Sequence, residues 1–241
     1  MSEQSGPSEL RLLCAGAAQG VVKALQAEVE AAHGVRLVAR YGAVGGLRDA
    51  LLAGERADAV VLSAALVDGL VAAGRLDGGS RATLGRVETG LAVPRGAPHP
   101  DASGPDAVRA AFERATTIWF PDPVSSTAGI HVMRVLDALG LRDAVASKLR
   151  PHPNGATAMR AMADAGDAGA VGCTQVTEIL YTEGVEPVGP LPPPLDLATA
   201  YDAAVVSGTA HAAAAQALVR RLADPESAEL RARAGFTSGP P

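Results

Sequence analysis

The first quarter of the chain repeats a short apolar run followed by a longer segment with helical spacing. Residues 10–14 form an apolar run, and the apolar positions of 19–34 recur every three or four residues. Residues 35–42 alternate as a half-buried strand, 43–54 return to helical spacing, and 57–64 are almost continuously apolar. This order of strand, helix, strand, helix and strand predicts a parallel sheet with right-handed crossovers.

A second set of alternating elements follows a Pro- and Gly-punctuated strand that starts at Val87. Its predicted elements are a strand at 116–120, a helix at 128–139, a strand at 149–153, a helix at 157–163 and a strand at 168–175. A Pro-rich stretch then returns into a strand near 198–206, before a helix over 212–222 and a last helix after Asp224.

The C-terminal elements are too few to fold alone, so we expect them to complete the first unit. The predicted division is a discontinuous lobe 1, residues 1–86 and 196–241, and an inserted lobe 2, residues 87–195, with two segments crossing between them. The sequence therefore predicts an α/β protein of two lobes with a cleft between them.

Composition removes several classes of function. The chain has 26 Asp and Glu against 21 Lys and Arg, a net charge of −5 and only 3% aromatic residues, which disfavours nucleic acid as a partner. No window reaches the ~20 apolar residues of a membrane span. The opening residues lack the features of an export signal, which predicts a cytoplasmic protein.

Signatures for cofactors and metals are also missing. GAVGGL at 42–47 departs from the dinucleotide fingerprint, and no phosphate-binding P-loop pattern occurs. The two cysteines, Cys14 and Cys173, form no CxxC spacing, and the five histidines show no ligand spacing. We therefore expect no metal and no cofactor.

Four loops made of small residues follow predicted strands and precede helices, at 15–20, 42–46, 124–129 and 172–177. The carboxyl ends of parallel strands share one edge of a sheet, so these loops are the expected ligand site. Helix N-termini offer unpaired N–H groups and partial positive charge, which suits an anion. The alternative is that the small residues only cap helices.

Several segments together resemble the molybdate-binding (ModA-like) family of class II periplasmic-binding proteins. They are AGAAQG at 15–20, ADAVVLSA at 57–64, DPVSSTAG at 122–129 and AGFTS at 234–238, and the resemblance extends from about residue 10 to 238. It implies the two-lobed class II fold, with an oxyanion held between the lobes by hydroxyls and backbone amides. The ligand-contacting positions it implies are Ala17, Val44, Ala128, Gly155 and Gln175.

This chain departs from the family pattern at three of those positions. Ala17 and Val44 replace hydroxyl-bearing residues, and Gln175 replaces a tyrosine. Two lost donors, at about 1.5 to 3 kcal/mol each, predict weak binding of a tetrahedral dianion. An organic carboxylate fits the remaining groups better. The further candidate ligand contacts are Ala18, Ser125, Ser126, Thr127, Gly129, Asn154 and Thr174.

Similar proteins include aconitate isomerases, which move a proton along an allylic tricarboxylate without a cofactor. That chemistry needs one base and carboxylate anchors. The candidate bases are His131 and Glu178, ahead of His152 and the two cysteines, and the candidate anchors are Arg40, Arg48 and Arg86. The alternatives are a non-catalytic solute-binding protein of an ABC transporter, a cytosolic anion sensor, or an effector domain that works with a separate DNA-binding partner.

Overall fold

The computed structural model describes residues 8–238. The first seven residues, on which the expectation about export partly rests, lie outside this range. So do residues 239–241, the end of the predicted lobe 1. No helix within the described range is long and apolar enough to cross a membrane.

Nine strands of the described chain join in one sheet, with the order β2-β1-β3-β9-β4-β7-β5-β6 and with β8 paired to β4. The strands are β1 Ser8–Ala15, β2 Val35–Gly42, β3 Ala59–Ser63, β4 Leu76–Pro94, β5 Ile118–Pro121, β6 Leu149–His152, β7 Val171–Gln175, β8 Val185–Pro190 and β9 Ala198–Val206. β1 pairs in parallel with β2 and β3, as the alternation predicted.

Helices follow most of the strands. They are α1 Gln19–His33, α2 Val44–Leu52, α3 Ala64–Ala72, α4 Pro105–Arg114, α5 Thr127–Ala138, α6 Gly155–Ala165, α7 Val176–Tyr181, α8 Ala212–Ala223 and α9 Ala228–Arg233. The end of α1 could be predicted from the glycine at position 34. Gly34 has a φ of 61°, the left-handed conformation that glycine adopts without strain.

Four elements differ from the sequence prediction: β4, the helices α3 and α4, and the strand β8, for which no strand was predicted. β4 begins at Leu76 instead of Val87, and its first half changes register twice against β9 because the segment contains glycines and charged residues. The helices α3 and α4 were not predicted. α3 is apolar on nearly every side, so its sequence pattern resembles a continuation of the apolar strand β3. α4 begins with Pro105 in its first turn, a position that proline favours.

Two segments connect the halves of the sheet. β4 pairs with β9 over Leu76–Glu88 and with β7 and β8 over the residues that follow. At the crossing, the N–H of Thr89 donates to Leu197 O at 2.9 Å, and the N–H of Leu191 donates to Thr89 O at the same distance. Thr89 therefore ties the two crossing segments to each other.

The buried side chains divide along the same line. One cluster joins residues 10–87 to 201–236, including Leu218 and Leu222 of α8. The other two clusters draw all their fully buried members from residues 91–195. On this packing we propose the same division for the described residues, 8–86 with 196–238 as lobe 1 and 87–195 as lobe 2, with Val87 at the boundary packing in the first cluster.

Shortening a side chain of α8 tests this division. Leu218→Ala removes a side chain that is 1% exposed in the first cluster, and we expect a loss of about 2 to 5 kcal/mol in the free energy of unfolding. Hydrogen exchange should accelerate in β1, β3 and β9 more than in β5 and β7. The control Leu52→Ala changes a leucine that is 49% exposed and should cost within about 0.5 kcal/mol. Equal acceleration in both sets of strands would contradict the division.

Candidate functional site

A small cavity of about 20 Å³ lies between the lobes at the carboxyl ends of the strands. All four small-residue loops contribute to its wall, together with the start of α6 and the middle of β9. The lining residues are Ala15, Gly16, Ala17, Gly42, Ala43, Val44, Ser126, Thr127, Asn154, Gln175, Glu178 and Tyr201. The structure thus brings the predicted loops to one place.

Direct contacts hold the lobes together beside this cavity. The N–H of Gly45 in α2 donates to Ser125 O at 2.9 Å, and a Cβ at Gly45 would crowd that same carbonyl. The hydroxyl of Tyr181 in α7 accepts a hydrogen bond from Lys23 Nζ at 2.8 Å, and Gln19 Nε2 lies 3.3 Å from it. These contacts bring the lobes together beside the cavity. Its volume of about 20 Å³ leaves room for about one water molecule, so a larger ligand must part the lobes or extend beyond it.

The carboxyl group of Glu178 lies in the wall of this cavity. Glu178 is 5% exposed, and its Oε2 accepts a hydrogen bond of 2.6 Å from Oγ1 of Thr174, which lies four residues earlier in β7. The backbone N–H groups of Gly155, Ala156 and Gln175 also lie close enough to lower the pKa of this carboxyl. Gly155 and Ala156 begin α6, so the positive end of that helix faces the carboxylate.

Two glycines from different lobes leave the room that this carboxyl occupies. A Cβ built on Gly16 would overlap Glu178 Oε1, and a Cβ built on Gly155 would overlap Glu178 Oε2 and Thr174 Oγ1. Any other residue at either position would have to displace the glutamate. The carboxyl therefore fits closely between lobe 1 and lobe 2.

Burial dominates the electrostatics of Glu178. Desolvation raises the pKa of its carboxyl, while the hydrogen bonds from Thr174 and the backbone act in the opposite direction. Within residues 8–238 no lysine, arginine or histidine forms an ion pair with it. A buried carboxyl without a cation takes up and releases a proton at a higher pH than a surface glutamate does.

Tyr201 faces the same cavity from β9 of lobe 1. It is 3% exposed, and burial, with a smaller contribution from Glu178, raises the pKa of its hydroxyl, which stays protonated as a donor. Phe236 packs edge-on against its ring with the centroids 6.2 Å apart. The sequence reasoning missed Tyr201, because every residue from Tyr201 to Val205 is buried and the strand shows no alternation there.

Polar groups of lobe 2 complete the wall. Ser126 caps α5, its Oγ accepting from the N–H of Gly129 at 3.4 Å, and Asn154 caps α6, its Oδ1 accepting from the N–H of Thr157 at 2.9 Å. Gln175 is 3% exposed, and within the described chain its Oε1 has no hydrogen-bond partner. A buried amide oxygen of this kind requires a donor, which a ligand or water in the cavity would supply.

A wider groove of about 630 Å³ adjoins the cavity and shares Val44 and Thr127 with it. Two of the three predicted anchors, Arg48 and Arg86, line this groove, and so do the starts of α3 and α5. Arg86 donates from Nη2 to Ala198 O at 3.1 Å. Cavity and groove together offer space for an organic anion several carbons long.

Several candidates from the sequence lie elsewhere. His131 is absent from the cavity lining, and its Nε2 lies 2.8 Å from Leu195 O. Arg40 pairs with Glu55 at the surface. His152 stacks on Trp119 with the centroids 5.3 Å apart. Both cysteines are fully buried, which raises the pKa of each thiol.

The remaining predicted contacts lie behind or beside the cavity. Gly155 and Thr174 touch Glu178, as described above. Ser125 lines the groove, but its N–H and its hydroxyl both donate to Asp122 Oδ1, at 2.7 and 2.8 Å. Ala18, Ala128 and Gly129 are buried and appear in neither lining.

No group of three or more His, Cys, Asp or Glu side chains between residues 8 and 238 is arranged to hold a metal ion.

Two α/β lobes joined by two crossing segments, with a polar cavity between them, define a two-lobed binding protein of the periplasmic type. The chain belongs to the bacterial extracellular solute-binding protein family, whose model matches residues 10–237. The family resemblance and the fold class inferred from the sequence are both confirmed.

Comparison with individual proteins agrees with this assignment. The chain is 31% identical over 240 residues to an aconitate isomerase of Pseudomonas sp., covering 96% of this chain and 88% of that protein. The periplasmic molybdate-binding protein of Azotobacter vinelandii has a similar structure, with a TM-score of 0.77 and 18% identity over 96% of this chain and all of that one. The sulfate-binding protein SubI of Mycobacterium tuberculosis gives 0.71 and 22%, over 97% and 88%.

The raised pKa of Glu178 predicts a specific dependence of stability on pH. Its folded pKa lies above the ordinary value of 4.5, so the contribution of this group is full below pH 4.5 and is lost as the pH rises toward the folded pKa. Relative to Glu178→Gln, the wild type should lose stability over that rise by at most about 1.4 kcal/mol per pH unit. Urea denaturation at a series of pH values measures this. The exposed control Glu183→Gln should follow the wild type, and a constant difference for Glu178→Gln would contradict the shift.

Proposed function

We propose that this protein binds a small unsaturated di- or tricarboxylate between its lobes and moves a proton along its allylic system, as an isomerase of the aconitate isomerase type. The observation that carries the proposal is the buried Glu178 carboxyl, which has a raised pKa, has no cationic partner among the described residues and faces the cavity. The 31% identity to an aconitate isomerase supports it.

Glu178 is the proposed base. Its carboxylate takes a proton from the carbon next to the double bond, and the C–H electron pair spreads into the conjugated carboxylate as a dienolate. The same carboxyl then returns the proton to the far carbon of the allylic system, and the double bond moves by one position. A raised pKa strengthens the base in the first step and leaves an acid able to donate in the second.

Neutral donors around the cavity stabilise the charge that develops on the substrate. In this mechanism the hydroxyls of Tyr201, Ser126 and Thr127 face the dienolate oxygens, and the closed lobes keep out water. Glu178 lies on lobe 2 and Tyr201 on lobe 1, so both reach the substrate only when the lobes close. Closure would then assemble the catalytic groups.

The groove provides for the rest of the ligand. The cavity of about 20 Å³ holds no more than one small group in the closed arrangement, so the remaining carboxylate groups would lie in the groove toward Arg48 and Arg86. Leu66, Ile130 and Leu197 give that groove an apolar wall for the carbon skeleton. His131 is the less favoured base, since its Nε2 is directed to Leu195 O.

A non-catalytic solute-binding protein is the second candidate. It is favoured by membership of the solute-binding family and by the fold shared with molybdate- and sulfate-binding proteins. Both functions require the ligand to bind between the lobes. They differ in whether a C–H bond of the ligand breaks.

Replacing the proposed base separates these two functions. With aconitate as substrate, Glu178→Gln should lower kcat by about 10² to 10⁴ and change KM much less, because general-base catalysis is lost while the shape of the side chain is kept. Chromatographic separation of the two geometric isomers measures the rate, and Glu183→Gln, an exposed change just beyond α7, should keep the wild-type rate. Full activity in Glu178→Gln would remove Glu178 from this role. Aconitate binding with no turnover by the wild type would support the binding protein.

A further inference from the structure

We propose that Glu178 also sets the specificity of the site, because its own carboxylate occupies the anion-binding position that a tetrahedral oxyanion would otherwise take. This inference rests on the proposed function only in assuming that the cavity is where the ligand binds, and it does not require catalysis. On this inference, the protein shares its fold with molybdate- and sulfate-binding proteins but rejects those ions.

The contacts of the carboxylate are those of a bound anion. It accepts a hydrogen bond from the hydroxyl of Thr174, and the backbone N–H groups of Gly155, Ala156 and Gln175 lie close enough to lower its pKa. α6, whose N-terminus supplies the first two N–H groups, runs for 11 residues and carries its own side-chain cap, Asn154. These donors stabilise negative charge on whichever group lies among them.

Gly16 and Gly155 leave the space that the Glu178 carboxyl occupies. Gly155 lies under Oε2 and Gly16 lies against Oε1 from the other lobe, each without the Cβ that would displace the carboxyl. The unpartnered Oε1 of Gln175 is buried in the same cavity. An acceptor in that place favours a ligand that brings a donor, such as a hydroxyl or a protonated carboxyl, over a dianion that carries only acceptors.

Volume and charge then act together against an oxyanion. About 20 Å³ is left beside Glu178, near the space of one water molecule and too small for sulfate or molybdate. A dianion that did enter would meet the glutamate carboxylate in a desolvated site, where no cationic side chain of residues 8–238 is paired with that carboxylate. An organic carboxylate avoids both problems because its carbon chain, and not its charged group, approaches Glu178.

Shortening the Glu178 side chain should convert the cavity into a site that binds an oxyanion. Glu178→Ala frees the N–H groups of Gly155, Ala156 and Gln175 and the Thr174 hydroxyl, and enlarges the cavity by a carboxymethyl group. We expect the variant to bind sulfate or molybdate at least about tenfold more tightly than the wild type, the equivalent of one charge-assisted hydrogen bond regained. Isothermal titration calorimetry with each sodium salt, in a buffer free of other oxyanions, measures this.

Two further variants show whether the charge of Glu178 or the space that its side chain occupies excludes the oxyanion. Glu178→Gln removes the charge but keeps the side chain in place, so it should gain little affinity for oxyanions if occupancy is the main barrier. Glu183→Ala, in the exposed turn after α7, should behave as the wild type does. Circular dichroism and thermal melting report whether Glu178→Ala is folded.

Three results would overturn the inference. They are sulfate or molybdate binding by the wild type as tight as that of Glu178→Ala, a folded Glu178→Ala variant that gains no oxyanion affinity, and a gain in Glu178→Gln equal to that in Glu178→Ala, which would show that charge alone excludes the ion. If Glu178→Ala fails to fold, wild type and Glu178→Gln still test the inference: tight binding of sulfate or molybdate by the wild type, or a gain of about tenfold in Glu178→Gln, would overturn it.

The outcome is independent of the catalytic test. Loss of isomerase activity in Glu178→Gln without an oxyanion gain in Glu178→Ala would leave the proposed function standing and overturn this inference. An oxyanion gain in Glu178→Ala together with aconitate binding but no turnover by the wild type would leave this inference standing and overturn the isomerase function. Full activity in Glu178→Gln would remove Glu178 as the base and leave this inference untouched.

Discussion

Burial of the Glu178 carboxyl between the two lobes is the constraint on which the rest of the site depends. A carboxylate moved out of water is costly unless polar groups replace its hydration. Here the hydroxyl of Thr174 donates a hydrogen bond to it, and nearby backbone N–H groups of three residues also favour its charged form. They do not cancel the cost, because the pKa of the group stays raised. This one carboxyl is surrounded by Gly16, Gly155, the start of α6 and Thr174.

The same constraint links closure of the lobes to chemistry. Gly16 of lobe 1 packs against Oε1 of Glu178, and the contacts between Gly45 and Ser125 and between Lys23 and Tyr181 join the lobes in that arrangement. Separation of the lobes would return Glu178 to water and lower its pKa toward the ordinary value. The basicity of the group and the closed state are therefore coupled.

Much of this arrangement could be predicted from the sequence, because strands that end in small residues and lead into helices must present those loops at one edge of a parallel sheet. The choice between His131 and Glu178 could not. Each lies within the first two turns of such a helix, and the rotation of the helix decides which side chain meets the cavity. Tyr201 gave no signal because its strand is buried on both faces, and the early start of β4 was hidden by its glycines and charges.

The central claim, that a C–H bond of the ligand breaks in the cavity, is tested most directly by incubating the wild-type protein with aconitate in D₂O and following the ligand by proton NMR. A base that takes up the allylic proton and exchanges it with solvent before returning it places deuterium on the carbons at the two ends of the allylic system. Deuterium on these carbons removes their proton NMR signals. We predict that these signals are lost with the wild type and that the loss is about 10² or more slower with Glu178→Gln. Binding of aconitate by calorimetry, with neither deuterium incorporation nor interconversion of its isomers, would contradict it.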